Sequence, residues 1–112
     1  MRTRRLEEMV GGWVVGDFEP SCFRTAACEV ACKHYEAGHR EPAHVHRVAT
    51  ELTVIVSGDA RMNGRHLTTG DIVMLDPGEV TDFEALTAVT TLVVKMPSVQ
   101  GDKYLVEAGQ GS

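Results

Sequence analysis

The sequence has few cysteines and no long apolar run. Its three cysteines are odd in number and form no Cys-x-x-Cys pair, so a disulfide framework is not expected and a reducing cytoplasm is the simplest location. No stretch approaches the roughly 20 apolar residues that a transmembrane helix needs. Glu7 and Glu8 interrupt the region where a secretion signal would need an apolar core. We therefore expect no role at a membrane.

An excess of positive charge is also missing. The chain has 11 Lys and Arg residues against 16 Asp and Glu residues, a formal net charge of −5. Proteins that bind the phosphate backbone of nucleic acids depend on clustered Lys and Arg, so no nucleic-acid role is expected. The sequence also lacks a phosphate-binding loop, a dinucleotide fingerprint and a Ser or Cys nucleophile arrangement.

The length and composition indicate one globular domain covering residues 1–112, with 43% hydrophobic residues. We expect residues 1–10 to form an N-terminal arm. Residues 98–112, which contain three glycines, should form a loosely held, flexible tail. A domain of this size buries a limited fraction of its surface, so we expect a homodimer that covers an open sheet edge.

Short β-forming segments separated by turn residues dominate the chain. Roughly nine such segments occur and none is a convincing helix, which predicts an all-β antiparallel barrel or jelly roll. The clearest segments are Ala27–Tyr35, Leu52–Val56, Ile72–Leu75, Thr81–Leu86 and Val89–Met96. Asn63-Gly64 tolerates the positive φ angles of a two-residue hairpin turn and predicts a hairpin between its flanking segments.

The segment Ala27–Tyr35 carries a candidate catalytic residue, His34. Alternation puts Cys28, Val30, Cys32 and His34 on one side, and this more apolar side should face the barrel interior. His34 would then be an acid, a base or a substrate contact in the interior. The alternative is an interior histidine hydrogen-bonded to the backbone.

Two histidines and one carboxylate form the main candidate site. His44 and His46 are two residues apart, and side chains at this spacing share a face only on an extended strand. Glu51 has the wrong parity to join them on a straight strand, so the chain must turn or bulge through residues 47–50. Two neutral imidazoles and a carboxylate match the set that binds a divalent metal and leaves coordination positions open. The alternative is a surface or hydrogen-bonded His pair.

This spacing resembles the first signature motif of the cupin superfamily. Gly38, His44, His46, Glu51 and Gly58 occupy each named position of that motif. The resemblance implies a small antiparallel barrel, the double-stranded β-helix, with a metal inside. It covers roughly residues 28–96.

The second motif of the superfamily is present only in part. Gly70 and Gly78 match its glycines, whereas Asp76 and Ala85 stand where the motif has proline and asparagine. Thr81 stands where the resemblance implies a fourth metal-binding histidine. A threonine hydroxyl is a poor ligand, so we expect water or substrate at that position.

Asp82 is the second candidate catalytic residue. It could replace the missing ligand or act as a base only if a bulge turned it inward; otherwise it should point away from Thr81's side of the strand. The ligand set suits one divalent Fe, Mn, Ni or Zn ion, which the sequence does not distinguish.

Three functions remain open from the sequence. The first is a metal-dependent enzyme of isomerase, epimerase, lyase or oxygenase type that acts on a small polar organic molecule. The second is a non-catalytic cupin that binds a small ligand or metal as a sensor or accessory protein. The third is a metal-free barrel that serves oligomerisation. Fold membership does not choose among them.

Overall fold

The structure, a computed structural model, describes residues 1–106, which form eleven β-strands in two sheets. The strands are β1 (Trp13–Gly16), β2 (Phe23–Arg24), β3 (Glu29–Tyr35), β4 (Arg40–Val45), β5 (Thr50–Ser57), β6 (Asp59–Met62), β7 (Arg65–Thr68), β8 (Ile72–Leu75), β9 (Val80–Ala85), β10 (Val89–Met96) and β11 (Tyr104–Leu105). One sheet has the order β2-β1-β3-β10-β5-β8 and the other β11-β4-β9-β6-β7. All neighbouring strands pair antiparallel except β1 and β2.

The predicted all-β architecture is confirmed, and most predicted strands lie where the sequence indicated. The segments Ile72–Leu75 and Val89–Met96 are strands with those bounds. The predicted hairpin joins β6 to β7 through Asn63, whose φ of 52° is the positive angle that this turn requires. The strands β2 and β11 were not predicted because two residues are too few to show an alternating pattern.

Residues 98–106, which the sequence placed in a loose tail, instead make specific contacts. Ser98 and Asp102 are buried, and Tyr104–Leu105 extends the second sheet by pairing with β4. The rest of the predicted tail, residues 107–112, lies outside the described residues. In the predicted N-terminal arm, Leu6–Glu8 forms a 3-10 turn and Met9 is buried. No helix among residues 1–106 is long and apolar enough to cross a membrane.

The hydrophobic core fills one end of the barrel. It contains Ile55, Ala60, Met62, Leu67, Leu75, Phe83, Ala85 and Val89. On β5, Ile55 lies in this core, whereas Glu51, four residues earlier on the same face, lies in a polar cavity. The barrel interior is therefore apolar at one end and polar at the other.

The predicted interior face of β3 is wrong. Ala31 is fully buried, and Lys33 and Tyr35 on the same side line the polar cavity, whereas His34 is exposed. The prediction assumed that the more apolar side of the strand faces inward. That assumption fails here because β3 borders a cavity lined by polar and charged groups rather than the hydrophobic core.

Candidate metal and ligand site

A cavity of about 480 Å³ opens between the two sheets at the polar end of the barrel. It brings together His44 and His46 from the second sheet and Glu51 from the first. Pockets of this size accommodate small organic molecules. The three predicted metal ligands therefore share one cavity.

The two histidines lie at the end of β4 with their rings close together. His44 is 6% exposed and His46 is 5% exposed, so both rings are removed from bulk water. Their ring centroids are 5.3 Å apart and the ring planes are inclined by 77°. The predicted sharing of one face by residues two apart is what the strand produces.

Hydrogen bonds to backbone carbonyls define the tautomer of both rings. Nδ1 of His44 donates to the carbonyl oxygen of Pro42 at 3.0 Å, and Nδ1 of His46 donates to that of Asp102 at 2.5 Å. A carbonyl oxygen only accepts, so each Nδ1 carries the proton and each neutral ring keeps its lone pair on Nε2. Burial lowers the pKa of both imidazoles, which favours this neutral form.

Glu51 reaches the same cavity because the chain turns between β4 and β5. Its Oε1 lies 3.9 Å from Nε2 of His46, and the residue is 8% exposed. Burial raises the pKa of the Glu51 carboxyl, and the nearby positive charge of Lys95 opposes that rise. Nε2 of His46 is buried and has no hydrogen-bond partner among the described residues. Such an orphaned nitrogen is uncommon, and its free lone pair fits a role in holding a ligand.

The donor atoms fit a divalent metal in chemistry, but they are not yet at bonding distances. No three His, Cys, Asp or Glu side chains among residues 1–106 already converge as a metal-holding group. Two ligands of one ion at about 2.1 Å lie roughly 3.0–3.4 Å apart. The 3.9 Å between His46 Nε2 and Glu51 Oε1 is longer than this, so holding an ion requires a small rotation of the side chains.

Thr81 lies beside His44 in the wall of the cavity. The two residues are paired across β9 and β4, and Thr81 is 2% exposed. Its hydroxyl donates to the carbonyl oxygen of Asp82 at 3.0 Å. The superfamily resemblance assigns a fourth ligand to this position. Here it holds a small threonine side chain whose hydroxyl proton is already in a hydrogen bond.

The structure does not bring the two candidate catalytic residues to the histidines. Asp82 contributes to the cavity wall, but it is an exposed residue whose carboxylate accepts the backbone N–H of Asn63 at 2.7 Å and so points toward the β6–β7 hairpin. His34 is exposed and its Nδ1 is 2.9 Å from Oγ1 of Thr90 on the neighbouring strand. Straight strand alternation places both side chains on outward-facing positions.

Asp102 supports the site from a position in the chain that the sequence did not indicate. Its carboxylate accepts the backbone N–H groups of Arg47, Val48 and Ala49, at 2.9 to 3.2 Å, and so holds the turn between His46 and Glu51. Burial acts to raise the pKa of this carboxyl, but the three backbone donors outweigh it and keep the pKa low. The contacts span more than 50 residues of chain, so no local pattern could have indicated them.

The cavity also contains aromatic and charged groups besides the histidines and Glu51. Tyr35 packs on Phe83 with ring centroids 4.7 Å apart and faces the cavity beside Glu41. Burial, with the negative charge of Glu41, raises the pKa of the Tyr35 phenol, so this hydroxyl stays protonated. Burial lowers the pKa of the Lys33 ammonium, and Glu41 opposes that effect.

No protein-family model matches the sequence. A probable aminomethyltransferase from Haloarcula marismortui is 28% identical over 100 residues, which cover 85% of this chain and 25% of that protein. The chain therefore spans only a quarter of the length of this relative.

Solved structures share the fold. An uncharacterized conserved protein with a double-stranded β-helix domain from Klebsiella pneumoniae is 28% identical with a TM-score of 0.67, covering 74% of this chain and 73% of that one. The DMSP lyase DddQ from Ruegeria pomeroyi is 22% identical with a TM-score of 0.70, over 84% and 49% of the two chains. An RmlC-like cupin from Shewanella frigidimarina is 19% identical with a TM-score of 0.63, over 68% and 71%.

Proposed function

We propose that this chain, whose fold is that of the cupin superfamily, is a metal-dependent enzyme acting on a small polar organic molecule. In this proposal His44, His46 and Glu51 hold one divalent Fe, Mn, Ni or Zn ion. The reaction is of isomerase, epimerase, lyase or oxygenase type. The lyase among the structural neighbours indicates that this fold carries enzymes, but its substrate is not transferred to this chain.

One observation carries the proposal: the buried, unpartnered Nε2 of His46. A buried polar atom without a partner costs about 1–3 kcal/mol, so proteins rarely keep one without a use. This nitrogen holds a lone pair, faces a carboxylate and lies in a cavity large enough for a ligand. A bound cation would accept the lone pair of this nitrogen and would balance the negative charge of the Glu51 carboxylate.

In this proposal, other residues of the chain position the ligands, leave space for substrate and donate a hydrogen bond. Asp102 fixes the orientation and tautomer of His46 through its backbone carbonyl. The short side chain of Thr81 leaves space for substrate or water beside His44, which supports a catalytic rather than a structural site. Tyr35 offers a protonated hydroxyl at the cavity surface that can donate to a substrate oxygen. The bound metal would supply Lewis acidity toward a substrate oxygen.

Elemental analysis of untagged protein tests the proposal. We expect close to one transition-metal ion per chain in the wild type and near none in His46→Ala. His66→Ala is the matched control, since His66 is exposed on β7 and its Nε2 lies 3.0 Å from Asp59 Oδ1. Circular dichroism should show all three proteins folded. A folded wild type that carries no metal and takes up none from solution would exclude the enzyme proposed here.

The second candidate is a non-catalytic cupin that binds a ligand or metal as a sensor or accessory module. Two observations favour it: threonine at the fourth ligand position, and a similar segment within a relative four times as long. This candidate predicts that small molecules raise the melting temperature of the metal-loaded protein without being converted. If the wild type converts a small molecule to product and Glu51→Gln does not, the result favours the enzyme.

A cytoplasmic location is part of the proposal. Cys22, Cys28 and Cys32 are free thiols, and free thiols persist in a reducing compartment. Labelling with a thiol reagent directly after cell lysis should modify them. Quantitative oxidation at that stage would contradict the proposed location.

A further inference from the structure

The positive charges that line the cavity all belong to lysine. Lys33, Lys95 and Lys103 are the only lysines of the chain, and all three line the cavity. None of the eight arginines lines it. Six acidic residues also line the cavity, namely Glu19, Glu29, Glu41, Glu51, Asp82 and Asp102. A lysine is therefore available to a ligand only where none of these carboxylates pairs with it.

Two of these lysines converge on one aromatic ring. The Nζ atoms of Lys33 and Lys95 lie 5.1 Å and 5.0 Å from the ring centroid of Trp13, which itself lines the cavity. Both distances are within the range of a cation–π contact. The Trp13 ring holds the two ammonium groups at the cavity wall and leaves their positive charge in place, whereas a carboxylate would neutralise it.

Among residues 1–106, no cavity carboxylate lies within ion-pair distance of Lys33, and Glu41 and Glu51 act on its charge only from farther away. Lys95 lies 3.7 Å from Glu29, and Glu29 also accepts a hydrogen bond from the hydroxyl of Ser98 at 2.8 Å. Glu51 faces His46 on the other side of the cavity. Within residues 1–106, Lys33 forms neither an ion pair nor a hydrogen bond. It is a half-buried cation at a cavity of about 480 Å³, and no carboxylate of the described residues forms an ion pair with it.

We propose that the ligand of this cavity is a small organic anion and that Lys33, held against Trp13, binds its negative group. The inference rests on the proposed function for the identity of the site and names the chemical class of its substrate. A half-buried ammonium group forms a charge-assisted hydrogen bond with a carboxylate or phosphate, and a neutral ligand of the same shape lacks that bond.

Calorimetric titration with succinate and with its neutral analogue succinamide tests the proposal. The fluorescence of Trp13, the only tryptophan, gives a second readout at the site itself. Methyl phosphate, titrated in parallel, tells whether the bound group is a carboxylate or a phosphate, and binding of either anion supports the proposal. Each titration is made on metal-free protein prepared with a chelator and on protein loaded with Zn²⁺.

Three variants separate the local charge from other effects. Lys33→Met removes the charge and keeps the length of the side chain, whereas Lys33→Arg keeps the charge. Arg65→Met is the control for the overall loss of one positive charge, since Arg65 is exposed on β7 and outside the cavity.

We expect the metal-free wild type to bind at least one of the anions about tenfold more tightly than succinamide. Lys33→Met should lose that preference, while Lys33→Arg and Arg65→Met keep it. Equal affinity for anion and amide, no binding of any probe, or an equal loss in Arg65→Met would overturn the proposal. Failure to bind metal would count against the enzyme alone, because the preference for anions is measured without metal.

Discussion

His46 depends on a residue more than 50 positions away in the chain. The carbonyl oxygen of Asp102 accepts a hydrogen bond from Nδ1 of His46, and its carboxylate holds the following turn. One residue thus fixes the ring of His46 and the path of the chain to Glu51. We infer that Asp102 is a positioning residue for the metal ligands.

Replacing Asp102 by alanine should affect both stability and metal binding. The backbone N–H groups of Arg47, Val48 and Ala49 lose a charged acceptor, which should lower the free energy of unfolding by about 2–3 kcal/mol. Loss of support for a histidine ligand should weaken metal binding by about 10–100-fold. Urea denaturation and competition with a chromophoric chelator measure the two effects.

Asp82→Ala is the matched control for Asp102→Ala. It removes an exposed carboxylate that also accepts a backbone N–H, but on the outward side of β9. Its metal affinity should equal that of the wild type. An unchanged metal affinity in Asp102→Ala would show that Asp102 stabilises the turn without positioning the ligands.

At the residue scale, the sequence predicted the shared location of His44, His46 and Glu51 because spacing on a strand and a necessary turn are local properties. It did not indicate Asp102, Lys95 or Trp13 as parts of the site. These side chains reach the cavity through the pairing of distant strands, and strand pairing is not encoded in the pattern of any single segment.

Among the secondary-structure elements, the sequence predicted where strands occur better than which face of a strand points inward. The segments now seen as β8 and β10 have clear turn residues at both ends, so their limits could be read from the sequence. The inward face of β3 was assigned wrongly, since the interior is polar there and the apolar side faces outward. A binding cavity inside a barrel reverses the usual rule for such a strand.

The turn between β5 and β6 offers a test of why the first motif ends in glycine. Gly58 has a φ of 97°, and a Cβ atom at this position would lie 2.2 Å from the backbone oxygen of Ala88. Gly70 has a nearly equal φ of 94°, but a Cβ atom there would meet nothing within 4 Å. The two positions therefore have nearly the same positive φ and differ in the room available for a Cβ atom.

Alanine substitutions at the two glycines should therefore differ in cost. Gly70→Ala should lower the free energy of unfolding by about 1–2 kcal/mol through the positive φ alone. Gly58→Ala adds a clash with backbone and should cost about 1–3 kcal/mol more. Urea denaturation of both variants measures the difference. Equal losses would contradict the close approach of Gly58 to Ala88.

On the scale of the whole molecule, one sheet presents an apolar outer surface. We define the outer apolar face by Leu52, Val54, Val56, Ile72, Met74, Leu92, Val94 and Met96 on β5, β8 and β10. Met74 is 71% exposed and Ile72 is 59% exposed. The other outward positions of these strands, Thr50 and Thr90, are also uncharged. Apolar patches of this kind mark interaction surfaces.

We propose that a second copy of the chain covers the outer apolar face. Strand spacing and repeat give the face an area on the order of 300 Å², and a rim around it would supply the rest of the roughly 800 Å² that a stable dimer buries per partner. The face carries no charge, so two copies can meet there without bringing like charges together. The dimer expected from the sequence would thus form at the β8 side of the sheet.

Sedimentation velocity tests this dimer. The wild type should sediment as a dimer, and Met74→Glu should sediment as a folded monomer because it buries a charge in the contact. Leu105→Glu is the control, since Leu105 is 68% exposed on the other sheet. A monomeric wild type, or a dimer that survives Met74→Glu, would contradict the proposed contact.

The central claim is that His44, His46 and Glu51 hold one metal ion in the cavity. Anomalous diffraction from crystals of the metal-loaded protein tests it most directly. We expect a single strong peak about 2.0–2.2 Å from Nε2 of both histidines and from a carboxylate oxygen of Glu51. A peak elsewhere in the molecule, or no peak in protein shown to be folded, would contradict it.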